Sequence, residues 1–77
     1  MGRTEFEKQL RGFLDQKPFQ PFLIEEDDGD QILVTDRKAI GSVTNDSALF
    51  FDADENMRFI DCDNVLRIIA AAPAGTA

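Results

Sequence analysis

Acidic residues are the side chains in this sequence whose types and spacing could do chemistry. The segment Asp52-x-Asp54-x-Asn56 begins like an EF-hand calcium loop, and Asp63 falls at its twelfth position. Hard oxygen ligands of this kind suit calcium. However, Met57 stands where that loop needs a glycine for its sharp turn, and the flanking segments have the composition of strands. The pattern therefore predicts a polar hairpin turn and no metal site.

A second acidic group is denser. Glu25, Glu26, Asp27 and Asp28 are consecutive, and Asp30 follows them. A run of like charges beside a turn is usually a solvated loop, and that is the interpretation we favour. The alternative is that the run docks a basic partner.

The single cysteine, Cys62, lies between Asp61 and Asp63. Adjacent carboxylates disfavour a thiolate, so we expect a buried structural thiol and not a nucleophile. The sequence contains no histidine, which removes the commonest base for a serine or cysteine nucleophile. We therefore expect no catalytic residues, no cofactor and no enzymatic activity.

Composition narrows the classes of partner. The 77 residues carry 15 acidic and 8 basic side chains, a net charge of −7, and the basic ones are scattered. Nucleic-acid binders need a basic face, so binding to RNA or DNA is not expected. The charged first residues, the free cysteine and the lack of an apolar run near ~20 residues predict a cytoplasmic protein without a membrane span.

The first element is predicted to be a helix over residues 5–16. Thr4 and Glu7 have the spacing of a capping box, and Glu7 can pair with Arg11 one turn later. Pro18 disfavours helix at the residue before it. The apolar side chains recur at helical spacing and form one stripe: Phe6, Leu10, Phe13 and Leu14.

Apolar runs separated by turn residues predict about five short strands after the helix. These runs cover residues 22–26, 30–35, 47–52, 57–62 and 65–69. Ile40 and Val43 could anchor a further short irregular strand or a turn, and residues 70–77 are expected to fray. The predicted fold is one domain over 1–77, mainly β with one N-terminal helix (α+β), in a small barrel or a strongly bent antiparallel sheet.

The first hairpin can be predicted in detail. A three-residue loop over residues 27–29, with a left-handed glycine, pairs Ile24 with Ile32 and Phe22 with Val34. This register places all four apolar side chains on one face. A two-residue loop would split the set between two faces, so we favour the longer loop.

Several strands are apolar on both faces, which is more than one small subunit can bury. Exposed contiguous apolar surface usually marks an interface, and unpaired strand edges can be hidden in the same way. The sequence therefore predicts a homo-oligomer, with a different protein as a possible partner. The candidate interface residues are Leu49, Phe50, Phe51, Leu66 and Ile68.

Two resemblances bear on these expectations. The segment Pro18-Phe19-Gln20-Pro21-Phe22, followed by an Asp-Gly turn and an apolar strand ending at Val34, resembles a group of small uncharacterised bacterial proteins. They share the short N-terminal helix and an aliphatic last strand. This resemblance covers about residues 5–69 and concerns fold more than activity.

The order of a helix and five strands, with an Asp-Gly turn between the first two, also resembles the Sm-like barrel. That resemblance implies a small barrel that forms rings and binds RNA. Among the basic residues of this sequence, the candidate phosphate contacts for such a module are Arg37, Lys38, Arg58 and Arg67. The Sm-like motif before the last strand carries an Arg-Gly step, and residues 65–68 contain no glycine. An Sm-like RNA-binding module is therefore the alternative to a self-associating interaction or scaffold module.

Overall fold

The computed structural model describes residues 1–71 and has one helix followed by six strands. The helix and strands are α1 Arg3–Leu14, β1 Phe22–Glu26, β2 Gln31–Val34, β3 Ile40–Gly41, β4 Ser47–Phe51, β5 Met57–Asp61 and β6 Val65–Ala70. Single 3-10 turns lie at Arg37–Ala39 and Cys62–Asn64. The prediction of a mainly β chain with an N-terminal helix is confirmed. The structure has six strands where about five were expected, and the additional one is the short β3 at Ile40, where a short strand or a turn was expected.

Helix α1 begins earlier than the sequence predicted. Its N-cap is Gly2, without a side-chain cap, so the capping box expected at Thr4 is wrong. The carbonyl oxygen of Gly2 instead accepts a 2.8 Å hydrogen bond from the amide of Phe6. The helix ends at Leu14, two residues before the predicted end, and the guanidinium of Arg37 donates to the Leu14 carbonyl at 3.0 Å.

The first sheet has the strand order β2-β1-β6 and is antiparallel. Its hairpin has the predicted register, since Ile24 lies opposite Ile32 and Phe22 lies opposite Val34. Gly29 has a φ of 91°, a left-handed backbone that glycine adopts without strain. The three-residue loop is therefore confirmed.

The second sheet has the strand order β3-β4-β5 and is also antiparallel. Within residues 1–71, no ladder joins the two sheets, so the described strands form two sheets and not a closed barrel. Between the sheets, the chain leaves β2 at Val34 and passes through the Arg37–Ala39 turn before it enters β3.

A bulge explains why β6 is apolar at neighbouring positions. Strand β1 pairs Glu25 with Arg67 and Glu26 with Val65, which leaves Leu66 as the extra residue. The bulge shifts the alternation, so Val65 and Ile68 both face the core while Leu66 is exposed.

One hydrophobic cluster connects the helix and both sheets. The predicted helical stripe is confirmed, since Phe6, Leu10 and Leu14 are buried and the half-buried Phe13 stacks on Phe22 with ring centroids 4.9 Å apart. Each of these large side chains contributes roughly 1.5–3 kcal/mol on full burial. The rest of the buried apolar set comes from the sheets and the last 3-10 turn: Phe22, Ile24, Ile32, Val34, Ile40, Ala48, Ile60, Cys62, Val65 and Ile68.

The end of the sheet differs from the predicted fraying at residue 70. Ala70 belongs to β6 and lies opposite Phe22, and the amide of Ala71 donates to the carbonyl of Pro21 at 3.2 Å. The remainder of the predicted tail, residues 72–77, lies outside the described residues. Among the described residues, no helix is both long enough and apolar enough to cross a membrane.

Candidate interaction surface

The outer face of the second sheet, the side away from the core, carries an uninterrupted group of apolar side chains. The register pairs Leu49 with Phe59 and Phe51 with Met57, and side chains two residues apart on a strand share a face. Met57 is 63% exposed, Phe59 62% and Phe51 38%, and Leu49 is half-buried. We call these four residues the apolar face.

The aromatic ring of Phe51 rests on the backbone of the short strand β3. A Cβ atom placed on Gly41 would lie 3.1 Å from the Cε2 atom of Phe51, closer than ordinary van der Waals contact. Glycine at this position therefore lets the ring approach the strand. Phe51 also lines an adjoining groove of about 480 Å³, together with Leu33 on β2 and Lys38.

The five candidate interface residues lie in three different places. Leu49 and Phe51 lie on the apolar face, as a shared interface requires. Phe50 points to the opposite side and packs against the core, and Ile68 is a core residue only 5% exposed. Leu66 is 55% exposed, but it lies in the bulge of the other sheet. The structure therefore brings two of the five together.

Met57 and Phe59 are the exposed members of the apolar face that are not among the five candidate interface residues. Their signal is present in the sequence, because they alternate with Arg58 and the buried Ile60 along β5. Alternation alone does not say which set faces the core. A charged residue normally indicates the outward side, so Arg58 suggests that Met57 and Phe59 face the core. Arg58 lies on the inward side here because it pairs with the carboxylates of Glu26 and Asp30.

Carboxylates flank the apolar face at both ends, and we call them the acidic rim. Asp52, Asp54 and Glu55 lie in the turn that joins β4 to β5. At the other end, Asp61 lies opposite Ser47 on the same outer face, and Asp46 precedes that strand. Among residues 1–71, none of these five carboxylates has a Lys or Arg nitrogen within 4.0 Å. The rim is therefore negative charge without an internal counterion.

The turn at the rim is built by Asp52 and is not arranged as a calcium loop. Its Oδ1 atom accepts hydrogen bonds from the backbone amides of Asp54 and Asn56, both at 2.9 Å. This pattern is an Asx turn, which fixes a tight connection between two strands. The carboxylate that would have bound a cation is thus directed at the backbone.

Arg58 is the cation that connects the two sheets. Its guanidinium pairs with Glu26, whose carboxylate is nearly buried, and with Asp30 Oδ2 at 3.1 Å. Hydrogen bonding to Asp30, with the charges of Glu26 and Asp30, raises the pKa of Arg58, so the side chain stays charged. Glu26, Asp28 and Asp30 lie close enough to hold a metal ion, but the guanidinium already supplies positive charge there.

Cys62 lies in the core and is 1% exposed. Burial, followed by the charges of Asp63, Asp61 and Asp46, raises the pKa of its thiol. A protonated thiol is a weak nucleophile and a poor metal ligand. The cysteine therefore packs as a small apolar side chain.

The cations considered as RNA contacts are mostly engaged elsewhere. Arg67 Nε lies 3.1 Å from Glu25 Oε1, and Arg37 lies 3.6 Å from Asp15. Together with Arg58, three of the four are paired with carboxylates. Because paired charges compensate one another, these residues do not form a basic face.

Comparisons with protein-family models, with curated proteins and with solved structures found no match.

Proposed function

We propose that this chain is a small protein-interaction module that self-associates through its apolar face. The observation that carries the proposal is the exposure of Met57 and Phe59, each above 60%, beside Phe51 and Leu49 on one side of one sheet. The largest contiguous apolar patch on a soluble protein often serves an interface, and these four side chains form such a patch.

The geometry suits a twofold contact. A sheet face that meets a copy of itself is self-complementary, so each Phe59 can pack on side chains of the other chain. Covering a Phe or Met side chain contributes roughly 1.5–3 kcal/mol on full burial, and these two are already about two-fifths covered. The acidic rim opposes the approach of two copies, so we expect weak and reversible association.

The test is sedimentation velocity of the purified chain from low micromolar to millimolar concentration. We expect the weight-average mass to rise above that of one chain as concentration increases. The double variant Met57→Thr/Phe59→Thr should remain monomeric, because threonine suits a strand while removing the exposed apolar surface. Its unfolding free energy should change little, since neither side chain belongs to the core.

Leu66→Thr is the matched control. It removes an apolar side chain of similar exposure, 55%, from the other sheet. Self-association that persists in this variant and disappears in the double variant assigns the contact to the apolar face. A wild-type chain that stays monomeric over the whole range would refute the proposal.

The finer fold and the location are proposals of the same kind. The pairing of the first strand with the last, β1 with β6, supports a relationship to the small Sm-like barrel, because a barrel needs that pairing. The engagement of three of the four candidate arginines and lysines by carboxylates does not favour RNA binding. The single free thiol supports a cytoplasmic location.

A further inference from the structure

The apolar face has negative charge at both ends of its strands, and this charge limits which partners can bind there. On this face the central side chains are uncharged, and the acidic rim lies at both ends of the strands. The arginine of β5 does not compensate the rim, because Arg58 is directed to the opposite side and held by Glu26 and Asp30. Lys38 shares the adjoining groove with Asp52 but makes no ion pair with it.

The size of the face also limits its partner. Four side chains, one of them half-buried, expose an area on the order of 300–400 Å², whereas a stable interface buries about 800 Å² per partner. A second copy brings equal negative charge to a contact of this size, which is why the self-association proposed above is weak. A short segment of another protein fits the area better, and a positively charged one also complements the rim.

We infer that the apolar face is a docking site for a short cationic segment of another protein, with two or three apolar side chains flanked on both sides by lysine or arginine. The apolar side chains would cover Met57 and Phe59. The basic flanks would lie near Asp54 and Glu55 at one end and Asp61 at the other. A five-residue strand spans roughly 17 Å, so a segment of about seven extended residues reaches both ends.

This inference rests on the same surface as the proposed function but names a different partner, so each can fail without the other. The self-association test asks whether copies of the chain meet at this face. The docking test asks what chemistry the face selects. A cationic segment that binds should also displace the second copy.

The experiment measures fluorescence anisotropy of three labelled peptides with the full chain. The probe is Lys-Lys-Leu-Phe-Leu-Lys-Lys, the charge-reversed peptide is Glu-Glu-Leu-Phe-Leu-Glu-Glu, and the apolar-free peptide is Lys-Lys-Ser-Gly-Ser-Lys-Lys. We expect the probe to bind at least about tenfold more tightly than either of the others, because each lacks one of the two complementary features. Binding should weaken as salt screens the rim.

Two variants separate the centre of the face from its rim. Phe59→Thr should weaken probe binding by about tenfold, the range of an anchoring side chain. Asp54→Asn with Glu55→Gln removes two rim charges without altering the Asp52 turn, and should weaken binding by about threefold at low salt. The control Glu5→Gln with Glu7→Gln removes the same charge from α1 and should leave binding unchanged.

Three results would overturn the inference. They are equal binding of the charge-reversed peptide, probe binding that Phe59→Thr does not weaken, and equal weakening by the rim variant and the helix control. If wild type self-associates but the probe does not bind, the docking inference fails while the proposed function stands. If the probe binds as expected to a chain that is always monomeric, only self-association is refuted.

Discussion

The outer faces of the two sheets begin with similar apolar rows but continue differently. On the first sheet, the apolar row Leu33–Leu23–Ile69 is followed by the polar row Gln31–Glu25–Arg67. On the second sheet, the apolar row Leu49–Phe59 is followed by a second apolar row, Phe51–Met57. The two outer faces therefore differ in one row of side chains, which is polar on the first sheet and apolar on the second.

The polar row of the first sheet is internally satisfied. Arg67 pairs with Glu25 at 3.1 Å, and the amide of Gln31 donates to the same carboxylate at 3.2 Å. The second sheet also contains an arginine, Arg58, but its side chain is on the inner side of the sheet. Because side chains alternate between the two sides of a strand, a position one residue away would place the arginine on the outer face. In its actual position Arg58 instead joins the two sheets.

The largest expected effect is the difference in unfolding free energy between the two single variants Arg58→Met and Arg67→Met. Arg58→Met leaves the nearly buried Glu26 without its guanidinium, and we expect a loss of roughly 1–3 kcal/mol in the free energy of unfolding. Arg67→Met leaves Glu25, which is less buried than Glu26 and keeps its hydrogen bond from Gln31, so the loss should be smaller. Urea unfolding of both variants measures the difference.

A double variant tests whether the unpaired charge of Glu26 causes the loss of stability in Arg58→Met. Glu26→Leu combined with Arg58→Met removes the buried charge together with its partner, and should recover most of the stability. Equal losses for Arg58→Met and Arg67→Met would contradict the assignment of the inter-sheet pair as the stronger one.

A smaller but more specific effect should follow from making the first sheet resemble the second. Glu25→Val with Arg67→Val replaces the polar row by a second apolar row. In the Met57→Thr/Phe59→Thr background, which we expect to be monomeric, this change should restore concentration-dependent association by sedimentation. The polar control Glu25→Gln with Arg67→Gln should stay monomeric, and association of that control would show that row polarity is not decisive.

The smallest effect concerns acid. Hydrogen bonds from Gln31 and Arg67 hold the pKa of Glu25 below its usual value. A carboxylate with a lowered folded-state pKa contributes stability above its unfolded pKa, and this contribution is lost as pH falls through the folded value. Wild type should therefore lose slightly more stability on acidification than Glu25→Gln, in urea titrations from neutral to acidic pH. Parallel curves for the two proteins would contradict this origin.

The sequence predicted local features better than relations between strands. The helical stripe and the first hairpin register depend on neighbours within a few residues, and both are confirmed. Strand β3 is not predictable with the same certainty, because two residues show no periodicity and the pairing of β3 with β4 joins residues distant in the sequence. The prediction of Ile68 as an interface residue is wrong because of the bulge at Leu66. The bulge changes which residues of β6 face the core, so that Ile68 is buried.

The same distinction applies to the interaction surface. Three apolar residues in a row must include an outward one, which is why Leu49, Phe50 and Phe51 are all candidates. The sequence does not show that Phe50 is the inward one. Met57 and Phe59 could not be selected in this way, because choosing the outward set on β5 requires knowing that Arg58 has an acidic partner in the other sheet. That partner, Glu26, is 32 residues away in the chain.

Because of the extra residue in β6, the chain can lose one residue at this position and keep its strand register. If position 66 were absent, the partners Glu26–Val65, Glu25–Arg67 and Ile24–Ile68 would form one regular ladder with every other side chain on its present side. The exposed leucine therefore acts as a spacer between two segments that are already in phase. A one-residue deletion would be accommodated here, whereas the same deletion in the middle of β1 would turn its inward residues to solvent.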